Sequence, residues 1–322
     1  MGYSNWSDSA YNTLKSKRKG TSRSTIFTNS GKIDPDMNPH KMKPRESRDS
    51  DAHPNSNAIV VAFDITGSMG QIPEQFAREK LGGLMRMLVE RDYIDDPQVL
   101  FAGVGDATCD HGPLQIGQFE SGLEMDMWLT RIWLEGGGGG QMSESYGLAH
   151  LFAARFTEID CFEKRGKKGY LFTMGDEMSW GVPAAHVERV FGHNPEADMT
   201  IEEVVALAQE RYEVFHIVVA QGYHGGNPKV LEHWRGLLGE RALVLDEVDG
   251  VCELIATTIG LCEGRVDLGA AAMDMRNLGV NGATVDAVSK ALTPLSKRHS
   301  PRGAVSGALP STGAGGDKLM RL

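Results

Sequence analysis

The sequence predicts an α/β protein: a doubly wound, mostly parallel sheet of about six strands with helices on both faces. Three observations lead there. Short apolar runs recur along the chain: AIVVAF at 58–63, QVLFAGVG at 98–105, GYLFTM at 169–174, VFHIVVA at 214–220 and ALVL at 242–245. Runs that short, rich in β-branched residues, read as strands buried on both faces. Segments with apolar residues at helical spacing alternate with them, as in βαβ units. Three of the runs lead into an acid, Asp64, Asp106 and Asp176, and in such a sheet ligands bind at the carboxyl ends of the strands.

The elements follow in order. After the 58–63 strand, Pro73 sits near the start of a helix that carries Phe76, Leu81, Leu84 and Leu88. The 98–105 strand is next, and residues 113–119 (PLQIGQF) form a candidate third strand running back antiparallel. Residues 123–134 have helical spacing and lead into five consecutive glycines, 136–140, a loop of unusual backbone freedom. A helix resumes near Ser143, a candidate N-cap. The remaining strands alternate with helices near 184–191, 201–211, 230–238 and 251–261. Beyond 264 two short helices, 270–275 and 284–292, precede a tail rich in Gly, Ser and Pro. The expected organisation is a polar, partly disordered arm over 1–57, a folded domain over 58–262, a helical extension over 263–292 and a disordered tail over 293–322.

Composition narrows the function classes. The chain has 322 residues, 41% hydrophobic and 24% charged, with a formal net charge of −10. That balance argues against a nonspecific nucleic-acid binder. Residues 1–57 carry a net +4 and the remainder −14. The basic run 15–19 reads as a solvated face, with phosphate contact as the alternative. No apolar stretch reaches the ~18 residues of a membrane span, and the N-terminus lacks the pattern of a signal peptide. Cys109, Cys161, Cys252 and Cys262 form no Cys-x-x-Cys pair. Reduced thiols in a cytoplasm are expected.

The chemistry concentrates at residues 64–70, DITGSMG. Asp64, Thr66 and Ser68 place three oxygen-bearing side chains at alternate positions of a tight loop. Such a set suits a hard dication, Mg²⁺ or Mn²⁺, rather than zinc. A polar turn with Asp64 as a helix cap is the plainer alternative.

Asp-x-Thr-Gly-Ser after a hydrophobic strand resembles the first motif of the von Willebrand factor A (VWA) domain, which opens its metal-ion-dependent adhesion site. The likeness extends over roughly residues 58–262 and points to soluble proteins of prokaryotic character. It implies a Rossmann-like VWA fold, a bound Mg²⁺ or Mn²⁺, and a non-catalytic module that binds a protein partner through the metal face. Such modules act as scaffolds or adaptors in multiprotein assemblies, some linked to an AAA-type ATPase. It implies no specific nucleic acid and no membrane. The metal residues it implies are Asp64, Thr66 and Ser68, with Asp176 after the fourth strand. The family's second segment supplies a threonine, which is missing here. Counting back five residues from Ala149 places Glu144 there, between Ser143 and Ser145. Glu144 is either a metal ligand or a helix-end acid. Asp106, Ser143, Ser145 and Glu177 are possible supporting residues, and Trp180 and His224 candidate partner contacts. Asp110 and His111 are turn or surface residues on the plainer reading.

A Mg-dependent phosphotransferase of the haloacid dehalogenase type, with Asp64 as nucleophile, is the alternative. It requires an acid where Thr66 stands, and another where Trp180 stands.

Overall fold

The computed structural model describes residues 4–299 apart from 30, 68, 70, 138, 139, 141, 194 and 196. Its centre is a six-stranded sheet: β1 (Asn57–Asp64), β2 (Pro97–Val104), β3 (Leu114–Ile116), β4 (Gly169–Gly175), β5 (Tyr212–Val219) and β6 (Ala242–Leu245). The spatial order is β6-β5-β4-β1-β2-β3. Neighbours are parallel except β3, which returns antiparallel to β2 as expected. The fold class therefore agrees with the sequence reading.

Every residue of β1 is buried, because the strand is central and covered on both sides. Ile59, Val61 and Phe63 face one apolar layer, with the helices Leu81–Met85 and Val251–Cys262. Ala58, Val60 and Ala62 face the other, with Tyr146–Arg155, Ile201–Arg211 and Pro228–Leu238. That two-sided burial is why the strands read as unbroken apolar runs. The helix after β1 runs from Gln71 to Glu90 and includes two five-residue π-helical stretches, Phe76–Lys80 and Arg86–Glu90.

The N-terminal segment differs from the polar, partly disordered arm expected. Asp8–Arg18 is a helix capped by Ser7, and Arg45–Ser47 pairs in parallel with Thr157–Ile159. Tyr11, Ile26, Phe27 and Met37 are buried in the core. Within the basic run, Arg18 forks onto Asp126 at 2.5 and 2.6 Å. Arg78 in turn donates to the carbonyls of Arg18 and Thr21 at 3.1 and 2.8 Å. Single apolar anchors and ion pairs between distant residues leave no local period, so the sequence pattern underestimates the segment.

At the other end, helices Leu268–Asn277 and Gly282–His299 pack on the domain, with Val285, Val288, Leu292 and Leu295 buried. The second helix runs past residue 292, into the expected tail, and the expectation for 300–322 lies outside the described residues. Among the described residues no helix is long and apolar enough to cross a membrane.

Tyr11 lies directly on Gly82, where an added Cβ would sit 2.5 Å from the ring carbon Cε1. In an open helix, alanine would be favoured over glycine by about 1 kcal/mol. Here overpacking, typically about 1–3 kcal/mol, opposes it. Gly82→Ala should therefore lower the melting temperature and speed tryptic cleavage near Lys15 and Lys17. A more stable, equally resistant variant would show that the segment is not docked there.

Candidate functional site

The strand order reverses direction between β1 and β4, and ligands of doubly wound sheets bind beyond the carboxyl ends at such a point. Asp64 ends β1, and Asp176 directly follows β4. Both are fully buried. The glycine run meets the motif loop here, since Gly67 donates its N–H to the Gly137 carbonyl at 3.1 Å.

Asp64 is held on both oxygens. Oδ1 accepts the Thr66 amide at 2.7 Å and the Thr66 hydroxyl at 2.6 Å, and Oδ2 accepts the Tyr146 hydroxyl at 3.0 Å. Burial pushes its pKa up to about 7; the Thr66 hydrogen bonds oppose this and the Asp176 carboxylate adds to it. Gly175 makes room for Tyr146, because a Cβ there would fall 1.7 Å from the tyrosine oxygen. Behind Tyr146, Trp234 stacks on His216 with ring centres 3.6 Å apart. The Trp234 indole donates to the Glu177 carbonyl at 2.8 Å.

Glu144 reaches the same edge through a two-residue strand. Ser143–Glu144 pairs in parallel with Met178–Ser179, and the Trp180 amide donates to the Glu144 carbonyl at 3.1 Å. The helix begins at Tyr146, after this pair. Ser143 is therefore not the N-cap expected. Ser145 holds that position, but its hydroxyl accepts the Ala107 amide at 2.9 Å instead of a helix amide. It ties the second segment to the loop after β2.

Glu144 is 2% exposed. Burial, then the charges of Asp64, Glu177, Asp106 and Asp110, push its pKa up to about 10. Burial followed by Asp64 and Asp176 pushes Glu177 to about 8. Three carboxyl oxygens here are buried with no donor from another residue type, Asp106 Oδ2, Glu144 Oε2 and Glu177 Oε2, and the Glu144 and Glu177 carboxyls are close enough to share a hydrogen bond. Asp110 Oδ2 accepts the Asp106 amide at 2.8 Å, and Asp176 Oδ2 accepts the His224 amide at 2.9 Å.

The edge thus gathers Asp64, Thr66, Asp106, Glu144, Ser145, Asp176 and Glu177. Ser68 lies outside the described residues. Trp180, 36% exposed, and His224, whose Nε2 is 3.8 Å from Glu177 Oε1, stand at the rim. His111 sits apart on Glu135, its Nδ1 at 2.8 Å from Oε1. Sequence reasoning missed Tyr146, whose hydroxyl acts only through a tertiary contact. It also missed Tyr223, 85% exposed in the loop after β5, which had only its glycine-rich surroundings as a signal.

Hard oxygen donors with unpartnered lone pairs fit a dication in chemical type. Among the described residues, which leave out Ser68, no three His, Cys, Asp or Glu side chains are already arranged as a metal shell. Nothing favours the phosphotransfer alternative, since Thr66, hydrogen-bonded to Asp64, stands where its general acid would be.

No protein-family model matches the sequence, and comparison with curated proteins finds no match. Solved structures give distant likenesses. The pilus adhesin SpaC from Lactobacillus rhamnosus GG, in its open conformation, is 9% identical with a TM-score of 0.43, over 69% of this chain and 31% of that one. This chain therefore spans about a third of SpaC. The conserved hypothetical protein BatB from Bacteroides thetaiotaomicron is 15% identical, TM-score 0.36, over 63% of this chain and 97% of that one. A von Willebrand factor type A protein from Catenulispora acidiphila is 13% identical, TM-score 0.31, over 64% and 42%. Likenesses this remote carry nothing about activity. The mostly parallel α/β sheet with helices on both faces agrees with the fold that the VWA resemblance implies.

The raised carboxyl groups set a pH dependence. In the folded state they keep protons that the unfolded chain releases near pH 4, so stability falls as pH rises toward their folded values. Buried His150 and His216, with lowered pKa values, act the opposite way, but only below their unfolded value of about 6.5. From pH 7 to 9 the carboxyl groups dominate. In EDTA the melting temperature should fall across that window, and fall less in Glu144→Gln. A flat wild-type profile would contradict the burial of these acids.

Proposed function

We propose that the domain is a protein-interaction module of VWA type whose acidic edge takes one divalent cation, Mg²⁺ or Mn²⁺. The observation that supports it best is the set of buried carboxyl oxygens on Asp106, Glu144 and Glu177 that no cation or N–H reaches. They lie beside Asp64 at the switch point of the sheet. The strongest charges acting on Asp64, Glu144 and Glu177 are other carboxylates. Groups so placed either hold protons or share a cation.

On this reading Asp64, Thr66 and Asp176 hold the ion from β1 and β4, with Ser68 from the same motif. Glu144 contributes from the second segment, in place of the missing threonine, with Glu177 and Asp106 close by. The ion would supply positive charge that lets these groups ionise together. Tyr146 and Thr66 keep the Asp64 carboxylate oriented. The role is that of a non-catalytic adaptor or scaffold in a multiprotein assembly, with an AAA-type ATPase as a candidate member.

Calorimetric titration with Mg²⁺ and with Mn²⁺ should show one site, lost in Asp64→Ala. Because the ion binds only the folded form, it should raise the melting temperature. EDTA should lower it more in wild type than in Glu144→Gln. Equal binding by Asp64→Ala would reject the assignment, and equal EDTA shifts would remove Glu144 from the shell.

A further inference from the structure

We propose that the docked N-terminal segment completes a binding site for a soluble sugar or polyol phosphate. The site lies apart from the carboxylate edge, and the proposal does not rest on the interaction-module reading.

An open cavity of about 810 Å³ lies between the helix Asp8–Arg18, the turn after it and the helix that follows β1. That volume is within the usual range of small-molecule clefts. Of the residues that line it, four are cations, Lys15, Arg18, Lys19 and Arg78, and none is an acid or an aromatic. The chain as a whole carries −10, so the sign is reversed locally.

The cations divide by what they touch. Arg18 forks onto Asp126 and also donates to the Ala77 carbonyl at 2.8 Å. Arg78 donates to Glu74 at 2.7 Å and to the carbonyls of Arg18 and Thr21 at 3.1 and 2.8 Å. These two are fixed walls whose charge is answered by Asp126 and Glu74. Lys15 and Lys19 are exposed, and no hydrogen bond or ion pair among the described residues engages their ammonium groups.

Exposed lysines are common, but the placement of these two needs a cause. Asn12, Lys15, Ser16 and Lys19 share one helix face, so two like charges stand four residues apart, a spacing that works against the helix. A helix C-terminus attracts cations, yet Arg78 already takes up two carbonyl oxygens at this end. An anion held between the lysines removes their repulsion.

Charge and shape then set the ligand. A phosphate monoester carries about −1.5 to −2 at neutral pH, which matches two lysines, whereas a carboxylate brings one charge. Ammonium groups bind phosphate as point charges. The Ser16 and Thr21 hydroxyls donate to the carbonyls of Asn12 and Arg18, each at 2.8 Å, and keep lone pairs for the O–H groups of a sugar or polyol. With no aromatic ring in the lining, a nucleobase has nothing to stack on. Both helices supply walls, so the cavity exists only while the segment is docked, and a bound ligand stabilises that docking.

The test is an NMR titration of the backbone amides of the full chain with ribose 5-phosphate, at constant ionic strength and in EDTA. Amide signals over residues 12–21 should shift and saturate, and ribose alone should leave them in place. Citrate, an anion of carboxylates only, should bind more weakly. Lys15→Gln and Lys19→Gln should each weaken binding about two- to fivefold, the size of an exposed ion pair. Lys17→Gln, on the same helix but outside the cavity lining, should leave binding unchanged. The spectra of the variants report directly that they are folded. No saturable shift, citrate binding as tightly, or equal loss in Lys17→Gln would each overturn the proposal. Binding to phosphatidic acid vesicles without binding of ribose 5-phosphate would overturn it too, by making the surface a membrane contact. EDTA keeps the carboxylate edge free of cations, so none of these outcomes bears on the metal reading.

Discussion

Carboxyl groups that meet out of water cannot all be ionised unless something positive joins them. That constraint governs the carboxyl edge of this sheet. Asp64 and Asp176 arrive on adjacent parallel strands, so their proximity is fixed by the topology. Glu144 arrives by a separate route, the two-residue pairing of Ser143–Glu144 with Met178–Ser179. Backbone hydrogen bonds place it, so its side chain has little freedom to withdraw. Protons relieve the repulsion below the raised pKa values of these groups, and a cation can relieve it above them. Both states are available to the same set of atoms, which makes the edge sensitive to its ionic surroundings.

The layer beneath the acids is built to keep Asp64 still. Tyr146 hydrogen-bonds one oxygen and Thr66 the other. Tyr146 is itself confined by Gly175 and by the rings of His216 and Trp234. His216 is fixed through Nδ1 on Thr173 at 2.8 Å. An aspartate gripped this way has its lone-pair directions set before any ligand arrives, and preorganised donors lose little freedom on binding. The aromatic layer also excludes water below the site, which strengthens each charge interaction above it.

Strand positions were legible because burial on both faces leaves an unbroken apolar run, as at 58–63 in β1 and 99–104 in β2. Helices were legible from spacing, as in Ile201–Arg211, where a capping box of Thr200 and Glu203 adds a local signal. The N-terminal segment was not, for a physical reason. It is held by a few anchors, Tyr11 on Gly82 and Arg18 on Asp126, each joining residues far apart in the chain. Nothing in the local composition distinguishes such a segment from a solvated one. The short pairing of Arg45–Ser47 with Thr157–Ile159 was hidden likewise, since three residues are too few to show alternation.

The site shows the same division between what a chain writes locally and what folding adds. Asp64, Thr66 and Asp176 were readable because strand ends converge at a known edge of a doubly wound sheet. Glu144 was readable only as a position, by counting back along a helix from Ala149. Its burial and its pairing with the 178–179 strand depend on two loops meeting, which no periodicity encodes. The serines on either side illustrate the point. Two positions apart, they have different tasks: Ser143 completes a strand pair, and Ser145 binds the loop after β2. The glutamate between them owes its position to the fold, and its burial beside Asp64 and Glu177 is what raises its pKa.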